Sequence, residues 1–436
     1  MGHAIAVVGA GPSGIYAVQA LLKSEEVERV DVLESLPAPY GLLRYGVAPD
    51  HPKTKTVSRA LARAFEDHRV RFFGNVHVGR DVSRADLLAH YDAVIYATGA
   101  RYDRDLGIPG EELAGSVGAA HFVAWYSGHP DVLKPNEWHG TSTLVVVGAG
   151  NVALDVARIS LQPRKLLEST DMPRAVVDEL DHELTDVHLL CRRGPEHVKF
   201  TRVELGELLE LPDVHMVLHV DPAELAEQDG HPREVATNLR LFREAYARWD
   251  GSDEHPRKTM HFHFWTTPQL IEGETSVTAV DVRTAPPGGP VTEGRIDAQA
   301  VIRAIGYRGE PIPGLPFDPD RCLIPNESGE VAGTDGREYV TGWIKRGPTG
   351  VIGTNKGDAA ETAARALANL SASFREGTPG RPDLADLLSG SGHRPIDWAQ
   401  WDRIRAAEDA LGVTHGAATV KLADRDQMLR AAFDTD

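Results

Sequence analysis

Two glycine-rich turns contain the residue types and spacing that most clearly indicate chemistry in this sequence. The first is GAGPSG, where Gly9, Gly11 and Gly14 have the G-x-G-x-x-G spacing between an apolar strand pattern and an apolar helix pattern. In that context Gly9 permits a tight turn, Gly11 lets the backbone approach a pyrophosphate, and Gly14 lets the helix pack closely on the strand. The helix N-terminus then offers unpaired N–H groups and a positive dipole end to the phosphates. The turn therefore predicts a dinucleotide site.

A carboxylate stands where this first site would hold a ribose. Glu34 ends the next strand pattern, RVDVLES, twenty residues past Gly14. Such a carboxylate accepts hydrogen bonds from ribose hydroxyls, and its charge repels a 2′-phosphate. We therefore expect FAD or NAD at the first turn.

The second glycine-rich turn differs in the residues that follow it. In VVVGAGNVALDVARI, the positions of the G-x-G-x-x-A variant are filled by Gly148, Gly150 and Ala153. The next strand pattern, DVHLLCRRG, ends in Arg192 and Arg193 rather than in an acid, after a longer segment that predicts an inserted helical region. Two guanidinium groups match the charge and geometry of a 2′-phosphate. This turn is therefore predicted to bind NADPH rather than NADH.

Two dinucleotide sites of different preference in one chain predict an α/β protein that transfers electrons between cofactors. Two further apolar strand patterns, DAVIYATGA and AVIRAIGYRG, each end at a glycine turn, as expected where a chain crosses between paired Rossmann-like domains. We predict a FAD-binding domain formed by residues 1–103 and 321–436, the second part with a C-terminal extension. Residues 104–320 are predicted to form an inserted NADP-binding domain, which gives a glutathione-reductase-like architecture.

Composition excludes several classes of function. The formal charge of −18 disfavours non-specific nucleic-acid binding, which depends on neutralising phosphates. There is no apolar run of about 18 residues and no basic leader or signal core, so we expect a cytoplasmic protein with no membrane span. The two cysteines, Cys191 and Cys322, are predicted to be buried and form no C-x-x-C pair. That argues against a redox-active dithiol and a cysteine-ligated cluster, and no metal site is predicted.

Several long stretches match a known family in its order along the chain. They include PYGLLRYGVAPDHPKTK, YDAVIYATGARYDRDLGIPGE, VVVGAGNVALDVARI and YVTGWIKRGPTGVIGTNKGDA. On these stretches the chain resembles the adrenodoxin-reductase-type ferredoxin–NADP(+) reductases, in their bacterial, mycobacterial-type form. The resemblance implies FAD in the outer domain, NADPH in the inserted domain and hydride transfer to the flavin. It also implies single-electron transfer to a separate ferredoxin, which would supply an oxygenase such as a cytochrome P450 or an iron–sulfur-dependent pathway.

The same resemblance implies which residues contact the cofactors. The FAD contacts it implies are Ala10, Gly11, Glu34, Leu42, Val78, Trp343, Gly350, Val351 and Ile352. The NADPH contacts it implies are Arg104, Ala149, Gly150, Asn151, Val152, Arg192, Arg193, Glu204 and Gly350. The residues that it places near the flavin and the nicotinamide, and that we predict to be catalytic, are His51, Glu207 and Trp343. The chain departs from the family pattern after the arginine pair, where Glu196, His197 and Lys199 are unusual.

An acidic chain that binds an acidic ferredoxin needs a local positive patch. The candidate residues in LRLFREAYARWDGSDEHPRK are Arg240, Arg243, Arg248, Arg257 and Lys258. Acidic residues are interleaved with them, so an ordinary mixed-charge face is the alternative interpretation.

The glycine-rich stretch YVTGWIKRGPTGVIGTNKGDAAE is predicted to be the place where the two cofactors meet. We interpret Trp343 as an aromatic wall, with a core tryptophan as the alternative. Gly347, Gly350 and Gly353 are predicted to keep side chains away from the cofactors, and TNKGDAAE to begin a helix whose positive end faces the flavin. Further along, GTPGRPDLADLLSGSGHRP is linker-like and DWAQWDRIRAAEDALG is helical, and neither is assigned chemistry.

Three other classes of protein share part of this pattern. A disulfide reductase of the thioredoxin or glutathione kind has paired dinucleotide domains, but it needs the C-x-x-C that this sequence lacks. An electron-input subunit of an amidotransferase-type complex carries cysteine-rich cluster segments, which are also missing. A nucleotide-sensing protein that holds both cofactors without turnover is compatible with the sequence.

Overall fold

The computed structural model describes residues 2–135, 140–180, 184–226, 230–248, 258–372 and 382–434. The chain forms two compact units. Unit 1 comprises Met1–Tyr102, His129–Asp131 and Tyr307–Asp436, and unit 2 comprises Asp103–Gly128 and Val132–Gly306. Within the described ranges, no helix is long and apolar enough to cross a membrane.

The strands of the described residues, in chain order, are β1 (His3–Val8), β2 (Val27–Leu33), β3 (Val70–Phe73), β4 (Ala93–Tyr96), β5 (Tyr102–Asp103), β6 (Ser116–Gly118), β7 (Thr143–Val147), β8 (Asp186–Cys191), β9 (Val214–His219), β10 (Lys258–Phe264), β11 (Thr266–Glu272), β12 (Ala279–Thr284), β13 (Thr292–Asp297), β14 (Ala300–Arg303), β15 (Tyr307–Arg308), β16 (Asn326–Glu327), β17 (Glu330–Val331) and β18 (Glu338–Val340).

The α-helices of the same residues are α1 (Pro12–Leu21), α2 (Leu42–Tyr45), α3 (Pro52–Lys55), α4 (Val57–Ala62), α5 (Arg84–His90), α6 (Ala119–Tyr126), α7 (Asn151–Leu161), α8 (Arg164–Glu168), α9 (Arg174–Leu180), α10 (Arg202–Leu209), α11 (Arg233–Arg248), α12 (Trp343–Arg346), α13 (Thr354–Ala372), α14 (Leu384–Gly390), α15 (Trp398–His415) and α16 (Arg425–Phe433). Short 3-10 helices cover Arg63–Glu66, Pro195–His197 and Pro222–Leu225.

Unit 1 is built on a seven-stranded sheet in the order β16-β17-β18-β4-β1-β2-β3. Strands β18, β4, β1, β2 and β3 are parallel. Ile5 and Val7 of β1 pack into the core cluster that contains residues of α1 and α13, whereas Ala6 and Val8 pack into the cluster on the opposite face. A strand buried on both faces reads as a continuous apolar run, which is why AIAVV carries no alternation.

Unit 2 is built on a six-stranded parallel sheet in the order β6-β14-β7-β8-β10-β9. On one face, Leu144 and Val146 of β7 pack into a large cluster with residues of α6, α7, α10 and α11. On the other face, Val145 and Val147 pack with residues of β12, which belongs to the three-stranded antiparallel sheet β11-β12-β13. The inserted helical region predicted between the second turn and the arginine pair is present as α8 and α9.

The second boundary between the units lies earlier than the sequence predicts. It falls after Gly306, which is 14 residues before the predicted boundary at residue 320. Leu315 and Ile324, which flank that predicted boundary, pack into one buried cluster of unit 1. The proline and glycine residues of PIPGLPFDP therefore form turns inside unit 1 and do not mark a boundary between the units. Residues His129–Asp131 also belong to unit 1, where the ring of His129 lies 5.0 Å from that of Tyr45.

The C-terminal part packs into unit 1 and carries more structure than the sequence predicts. The linker interpretation is wrong for α14, whose Leu384 and Leu388 are buried, whereas residues 373–381 lie outside the described residues. The predicted helix over DWAQWDRIRAAEDALG is confirmed as α15. Trp398 stacks on Phe65 with ring centroids 4.0 Å apart, so this extension completes the core of unit 1.

Candidate functional site

The first glycine-rich turn has the shape that a dinucleotide pyrophosphate requires. A Cβ at Gly9, where φ is 107°, would lie 2.5 Å from the Ala97 carbonyl oxygen. A Cβ at Gly14 would lie 1.9 Å from the Gly9 carbonyl oxygen, so backbone packing alone requires both glycines. A Cβ at Gly11 would meet nothing within 4 Å. The missing side chain at Gly11 therefore opens the front of the turn to a ligand, as the fit of a pyrophosphate demands.

The N-terminus of α1 faces this open space without a side-chain cap. Gly11 occupies the N-cap position and Pro12 the first helical turn, and the turn contains no acidic residue. The first N–H groups of a helix have no intrahelical partner. They are available to an anion, and the helix dipole favours negative charge there.

Glu34 lies at the end of β2 and is buried beside the turn. Its carboxylate accepts hydrogen bonds from the N–H of Ala10 at 2.9 Å, the N–H of Leu36 at 3.1 Å and the hydroxyl of Ser35 at 3.1 Å. Burial raises the pKa of Glu34, while these hydrogen bonds and the charge of Arg101 act in the opposite direction. The predicted carboxylate is thus held rigidly against the turn.

A second loop of unit 1 lies against the same turn. Tyr40 donates its N–H to the Ala10 carbonyl oxygen at 2.8 Å, and a Cβ at Gly41 would lie 3.2 Å from the Cα of Gly11. Leu42 follows directly as the first residue of α2, so the loop places it close to the turn. The predicted contact Val78 is half-buried and forms an isolated bridge with Val82 beyond β3.

The C-terminal extension holds this loop in place. The guanidinium of Arg44, on α2, donates to Glu408 of α15 at 2.5 Å, and Lys421 donates to the Arg44 carbonyl oxygen at 2.9 Å. Tyr40 packs edge-on against Trp401, with ring centroids 6.2 Å apart. The extension that the sequence left without a role therefore supports one wall of the first turn.

The first part of the glycine-rich stretch packs against the N-terminus of α1. A Cβ at Gly342 would lie 2.2 Å from the Ser13 hydroxyl oxygen, and the Gly342 N–H donates to Asp358 at 2.5 Å. Trp343 follows, half-buried, with its ring 5.9 Å from that of Tyr307 in a stacked arrangement. The stretch therefore places Trp343 next to the first glycine-rich turn within unit 1.

The two cations after Trp343 bind back onto α13, which the sequence did not predict. The Lys345 ammonium lies 2.9 Å from Asp358 and 2.6 Å from Glu361. Arg346 donates to the side chain of Asn355 at 2.6 Å. Both side chains therefore tie the stretch to the helix that follows.

The glycines of this stretch have different structural reasons. Gly347 and Gly350 have φ angles of 84° and 82°, which L side chains rarely adopt. A Cβ at Gly350 would also lie 2.8 Å from the Thr354 hydroxyl oxygen. Gly353 has open space around it, and Val351 is 74% exposed. The predicted helix over TNKGDAAE is confirmed as the start of α13 at Thr354.

The second glycine-rich turn repeats the geometry of the first, in unit 2. A Cβ at Gly148 would lie 2.4 Å from the Ala304 carbonyl oxygen, whereas a Cβ at Gly150 would meet nothing within 4 Å. Gly150 is the N-cap of α7, and its side-chain cap is missing as in α1. The residues after the arginine pair hold this turn, since the N–H of Lys199 donates to the Ala149 carbonyl oxygen at 2.7 Å.

The predicted NADPH residues of unit 2 surround this turn. Arg192 and Arg193 are exposed at the carboxyl end of β8, which neighbours β7 in the sheet. Arg193 donates to the carbonyl oxygen of His197 at 3.3 Å, and Asn151 accepts the N–H of Thr201 at 2.9 Å. Because β7 and β8 are parallel neighbours, the turn after β7 and the arginine pair after β8 lie at the same edge of the sheet. Ligands of such sheets bind beyond the carboxyl ends of the strands.

Arg158 is a residue of this region that sequence reasoning missed. It lies on α7 with its side chain 1% exposed, 2.9 Å from Glu204 and 2.8 Å from Asp155. The Glu207 carboxylate is 3.8 Å away and 43% exposed. The signal that would have revealed it is the three-residue spacing of Asp155 and Arg158 on one helix face.

The positions of the other predicted site residues do not by themselves indicate a cofactor contact. His51 is the N-cap of α3, and its ring lies 3.9 Å from the Asp50 carboxylate. Arg104 is exposed, and its N–H donates to the Gly306 carbonyl oxygen at 3.1 Å. Cys191 is buried as predicted, and burial raises its pKa to about 12. The same prediction is wrong for Cys322, which is only partly buried because it lies in a turn.

The predicted ferredoxin patch lies mainly on α11. Arg240 pairs with Glu244 at 2.6 Å, whereas Arg243 and Arg248 donate to the backbone carbonyl oxygens of Leu225 and Leu209. The predicted Lys258, at the start of β10, donates to the Leu161 carbonyl oxygen at 3.1 Å, and Arg257 lies outside the described residues.

Comparison with known proteins gives consistent matches. The model of the pyridine nucleotide-disulphide oxidoreductase family matches residues 3–190. NADPH-ferredoxin reductase FprA of Mycobacterium tuberculosis is 42% identical, with 98% of each chain covered. Mitochondrial NADPH:adrenodoxin oxidoreductase of Mus musculus is 39% identical over 98% of this chain and 91% of its own. The solved structure of Mycobacterium tuberculosis FprA in complex with NADPH superposes with a TM-score of 0.91 at 40% identity, covering all of both chains.

Proposed function

The chain belongs to the family of the NADPH-ferredoxin reductases and NADPH:adrenodoxin oxidoreductases, and from that premise we propose that it is a FAD-containing ferredoxin–NADP(+) reductase. The observation that carries the proposal is the contrast between the two glycine-rich turns. Each turn is open in front, at Gly11 and at Gly150, but Glu34 lies beside the first and an exposed arginine pair near the second. This contrast supports FAD in unit 1 and NADPH in unit 2.

A bound flavin supplies the chemistry that side chains lack, because it takes two electrons as a hydride and releases them singly. The residues of unit 1 hold and orient that group. The uncapped N-terminus of α1 binds the pyrophosphate, and Glu34 accepts hydrogen bonds from the ribose hydroxyls. The further FAD contacts that we propose are Ala10, Leu42, Val78, Trp343, Gly350, Val351 and Ile352.

In unit 2, we assign recognition of the 2′-phosphate to Arg192 and Arg193. Neither guanidinium is buried, and charge-assisted hydrogen bonds to phosphate are stronger than neutral ones. The further NADPH contacts that we propose are Arg104, Ala149, Gly150, Asn151, Val152, Glu204 and Gly350. Arg158 sets the position of Glu204 and is therefore a positioning residue.

The predicted catalytic residues have separate tasks in this proposal. His51 relays protons or orders water near the flavin, since an imidazole can both donate and accept a proton. Glu207 has a partly exposed carboxylate on α10, and Trp343 forms an aromatic wall supported by Tyr307. Hydride transfer itself needs no protein acid or base. These residues therefore affect the rate of the transfer through the surroundings of the flavin and the nicotinamide, and they do not take part in it directly.

The test of the cofactor assignment is steady-state reduction of a ferredoxin, with NADPH and NADH compared. An Arg192→Ala/Arg193→Ala variant should raise KM for NADPH by about 10- to 100-fold, because a hydrogen bond to a charged group contributes about 1.5–3 kcal/mol. KM for NADH should change little. Arg295→Ala is the control, because that exposed arginine of β13 already pairs with Glu272. Equal efficiency of the wild-type protein with NADPH and NADH would overturn the role of the pair.

We further propose that a ferredoxin docks on α11 near Arg240, Arg243 and Arg248. Rim charges of this kind steer an acidic partner and act mainly on the association rate. An Arg240→Glu/Arg243→Glu variant should reduce ferredoxin slowly at low ionic strength and show a flatter salt dependence than the wild type. Arg283→Glu/Arg295→Glu, on the three-stranded sheet, makes the same charge change elsewhere. Identical salt dependence in both variants would exclude this docking surface.

The electrons are proposed to continue from the ferredoxin to an oxygenase such as a cytochrome P450, or to an iron–sulfur-dependent pathway. The cytoplasmic location expected from the sequence stays a prediction.

A further inference from the structure

Four histidines line one face of the sheet in unit 2, on three neighbouring strands. In the parallel register, His188 of β8 pairs with His261 of β10, and His263 of β10 pairs with His219 of β9. Side chains two residues apart on a strand point to the same face, so the H-x-H pattern of β10 places both of its imidazoles together. The intervening residue Phe262 packs into the core on the opposite face.

The four rings form two stacked pairs joined by ring nitrogens. His188 stacks on His261 with centroids 4.2 Å apart, and His219 stacks on His263 at 4.1 Å. Nδ1 of His188 lies 2.9 Å from Nε2 of His263, and Nε2 of His219 lies 3.1 Å from Nδ1 of His261. Asp186 is the carboxylate of this face, 3.3 Å from Nε2 of His261.

The packing of the sheet leaves this face polar. The apolar cluster between the two sheets of unit 2 draws on β14, β7 and β8 and contains no residue of β10 or β9 among those described. The histidines lie just beyond that cluster and, except for the exposed His219, are half-buried. A core role would put apolar side chains at these positions, and a purely solvated face would not gather imidazoles within hydrogen-bonding distance.

The same surroundings lower the pKa of several histidines on this face. Burial, reinforced by the neighbouring histidines, lowers the pKa of His188 to about 3 and that of His263 to about 2. Burial and His261 also lower the pKa of His219 and of His215 on the same strand. Neutral imidazole is the form that binds a metal ion.

We propose that His188, His261 and His263 bind one divalent late first-row transition-metal ion of the Zn2+ type. Their ligand atoms all lie within 4.8 Å of one another. Tetrahedral Zn2+ with bonds of about 2.0–2.1 Å needs ligand nitrogens about 3.4 Å apart. The proposal therefore includes rotation of the stacked His188 and His261 rings when the ion binds.

The chemistry of the surrounding groups defines the ion further. A set of imidazole nitrogens favours Zn2+, Ni2+ or Cu2+ and disfavours Mg2+ and Ca2+, which prefer oxygen ligands. Asp186 acts on the site through His261, because a carboxylate bonded to one ring nitrogen orients the ring and raises its basicity. His219 borders the set, with its Nε2 3.1 Å from Nδ1 of His261. The site uses none of the residues assigned to FAD or NADPH, so it does not depend on the proposed reductase activity.

The experiment is a Zn2+ titration of untagged, chelator-stripped full-length protein in competition with a chromogenic chelator. The wild type should bind one Zn2+ per chain, Ni2+ should compete, and Mg2+ should not. A His188→Gln/His263→Gln variant should lose that binding, and Asp186→Asn should weaken it by about 10- to 100-fold. The control is His68→Asn, which removes a histidine of unit 1 that is 93% exposed.

Two readouts separate loss of the site from loss of the fold. The double variant should keep wild-type flavin content and far-UV circular dichroism in metal-free buffer. X-ray absorption at the zinc edge of the wild-type complex, which needs no variant, should show at least three imidazole ligands. Failure of the wild type to bind Zn2+ stoichiometrically, undiminished binding by a folded double variant, or a zinc shell with fewer than three imidazoles would overturn the proposal.

Discussion

The guanidinium group of Arg158 lies 2.9 Å from the carboxylate of Glu204, and the arginine side chain is 1% exposed. This ion pair joins α7, which begins at the second glycine-rich turn, to α10, which follows the arginine pair. Asp155 lies 2.8 Å and Glu207 3.8 Å from the same guanidinium, so one buried cation is shared among three acids. The Glu204 side chain is therefore held in position by Arg158 without a bound nucleotide.

Removing this cation should destabilise unit 2 strongly. Arg158→Met removes the buried cation that pairs with Asp155 and Glu204, and breaking a buried pair in this way costs about 3–5 kcal/mol. Arg164→Met is the matched control, because that arginine is 39% exposed and pairs with Glu168 and Asp178 at the surface, where a pair contributes about 1 kcal/mol or less. Urea denaturation followed by circular dichroism measures both. Similar midpoints for the two variants would contradict the assigned role.

Glu34→Gln should loosen FAD without unfolding unit 1. The amide keeps one acceptor oxygen, but it loses the charge that the N–H groups of Ala10 and Leu36 and a ribose hydroxyl share. We expect flavin release to become about 10- to 100-fold faster, since a hydrogen bond to a charged group contributes about 1.5–3 kcal/mol. Glu28→Gln, which changes an exposed carboxylate bonded to the Gly2 N–H, should leave release unchanged. Flavin fluorescence on dilution measures the rate, and an unchanged rate in Glu34→Gln would count against the site.

His51→Gln should slow the reduction of the flavin by NADPH. The effect should stay below the roughly 100-fold that a transition-state acid or base contributes, because hydride transfer moves no proton at that step. His68→Gln replaces a histidine of the same unit that is 93% exposed, and should have no effect. Anaerobic stopped-flow absorbance measures the rate, and equal rates in the wild type and His51→Gln would remove His51 from the proposed catalytic residues.

Acid should weaken unit 2 through its histidine cluster. The folded pKa of His188 is about 3 and that of His263 about 2, both below the ordinary value of 6.5. Between those values the unfolded chain binds protons that the folded chain does not, so the free energy of unfolding falls as pH falls below about 6.5. The titratable groups that face these two rings are Asp186, His261 and His219, and the two rings also face each other.

A His188→Asn/His263→Asn variant should therefore lose less thermal stability between pH 7 and pH 5 than the wild type does. The melting temperatures are measured with a chelator present, so that no metal ion contributes. His68→Asn again serves as the control. Equal losses in the double variant and the wild type would show that these rings do not set the acid sensitivity.

Local patterns were enough to predict the two turns, the carboxylate at Glu34, the arginine pair and the helix after Gly353. Each of these depends on short spacing along the chain. The Arg158–Glu204 pair could not be predicted in this way, because its members are 46 residues apart and meet only after two helices pack. The missed helix α14 did have a local signal. Asp383 caps it and the apolar pair Leu384 and Leu388 is buried, but the surrounding Gly, Pro and Ser residues masked that pattern.

Glycine density alone does not identify cofactor contacts. The positive φ angles of Gly347 and Gly350 explain those glycines without a ligand, so a bulky substitution at Gly350 would strain the backbone whatever binds nearby. Gly11 and Gly150 are more informative, since a side chain at either would meet nothing within 4 Å. The case for two cofactors therefore rests on these open turns and on the charges beside them.

The measurement that tests the central claim most directly is an anaerobic two-step reaction of the flavin-loaded protein. NADPH is added first, and the reduced protein is then mixed with an excess of oxidised ferredoxin while absorbance is followed. We predict that one equivalent of NADPH bleaches the flavin band and that two ferredoxins are then reduced per protein chain. A protein that binds flavin and NADPH but leaves the flavin oxidised, or that bleaches without passing electrons to any ferredoxin, would contradict the assignment as a ferredoxin–NADP(+) reductase.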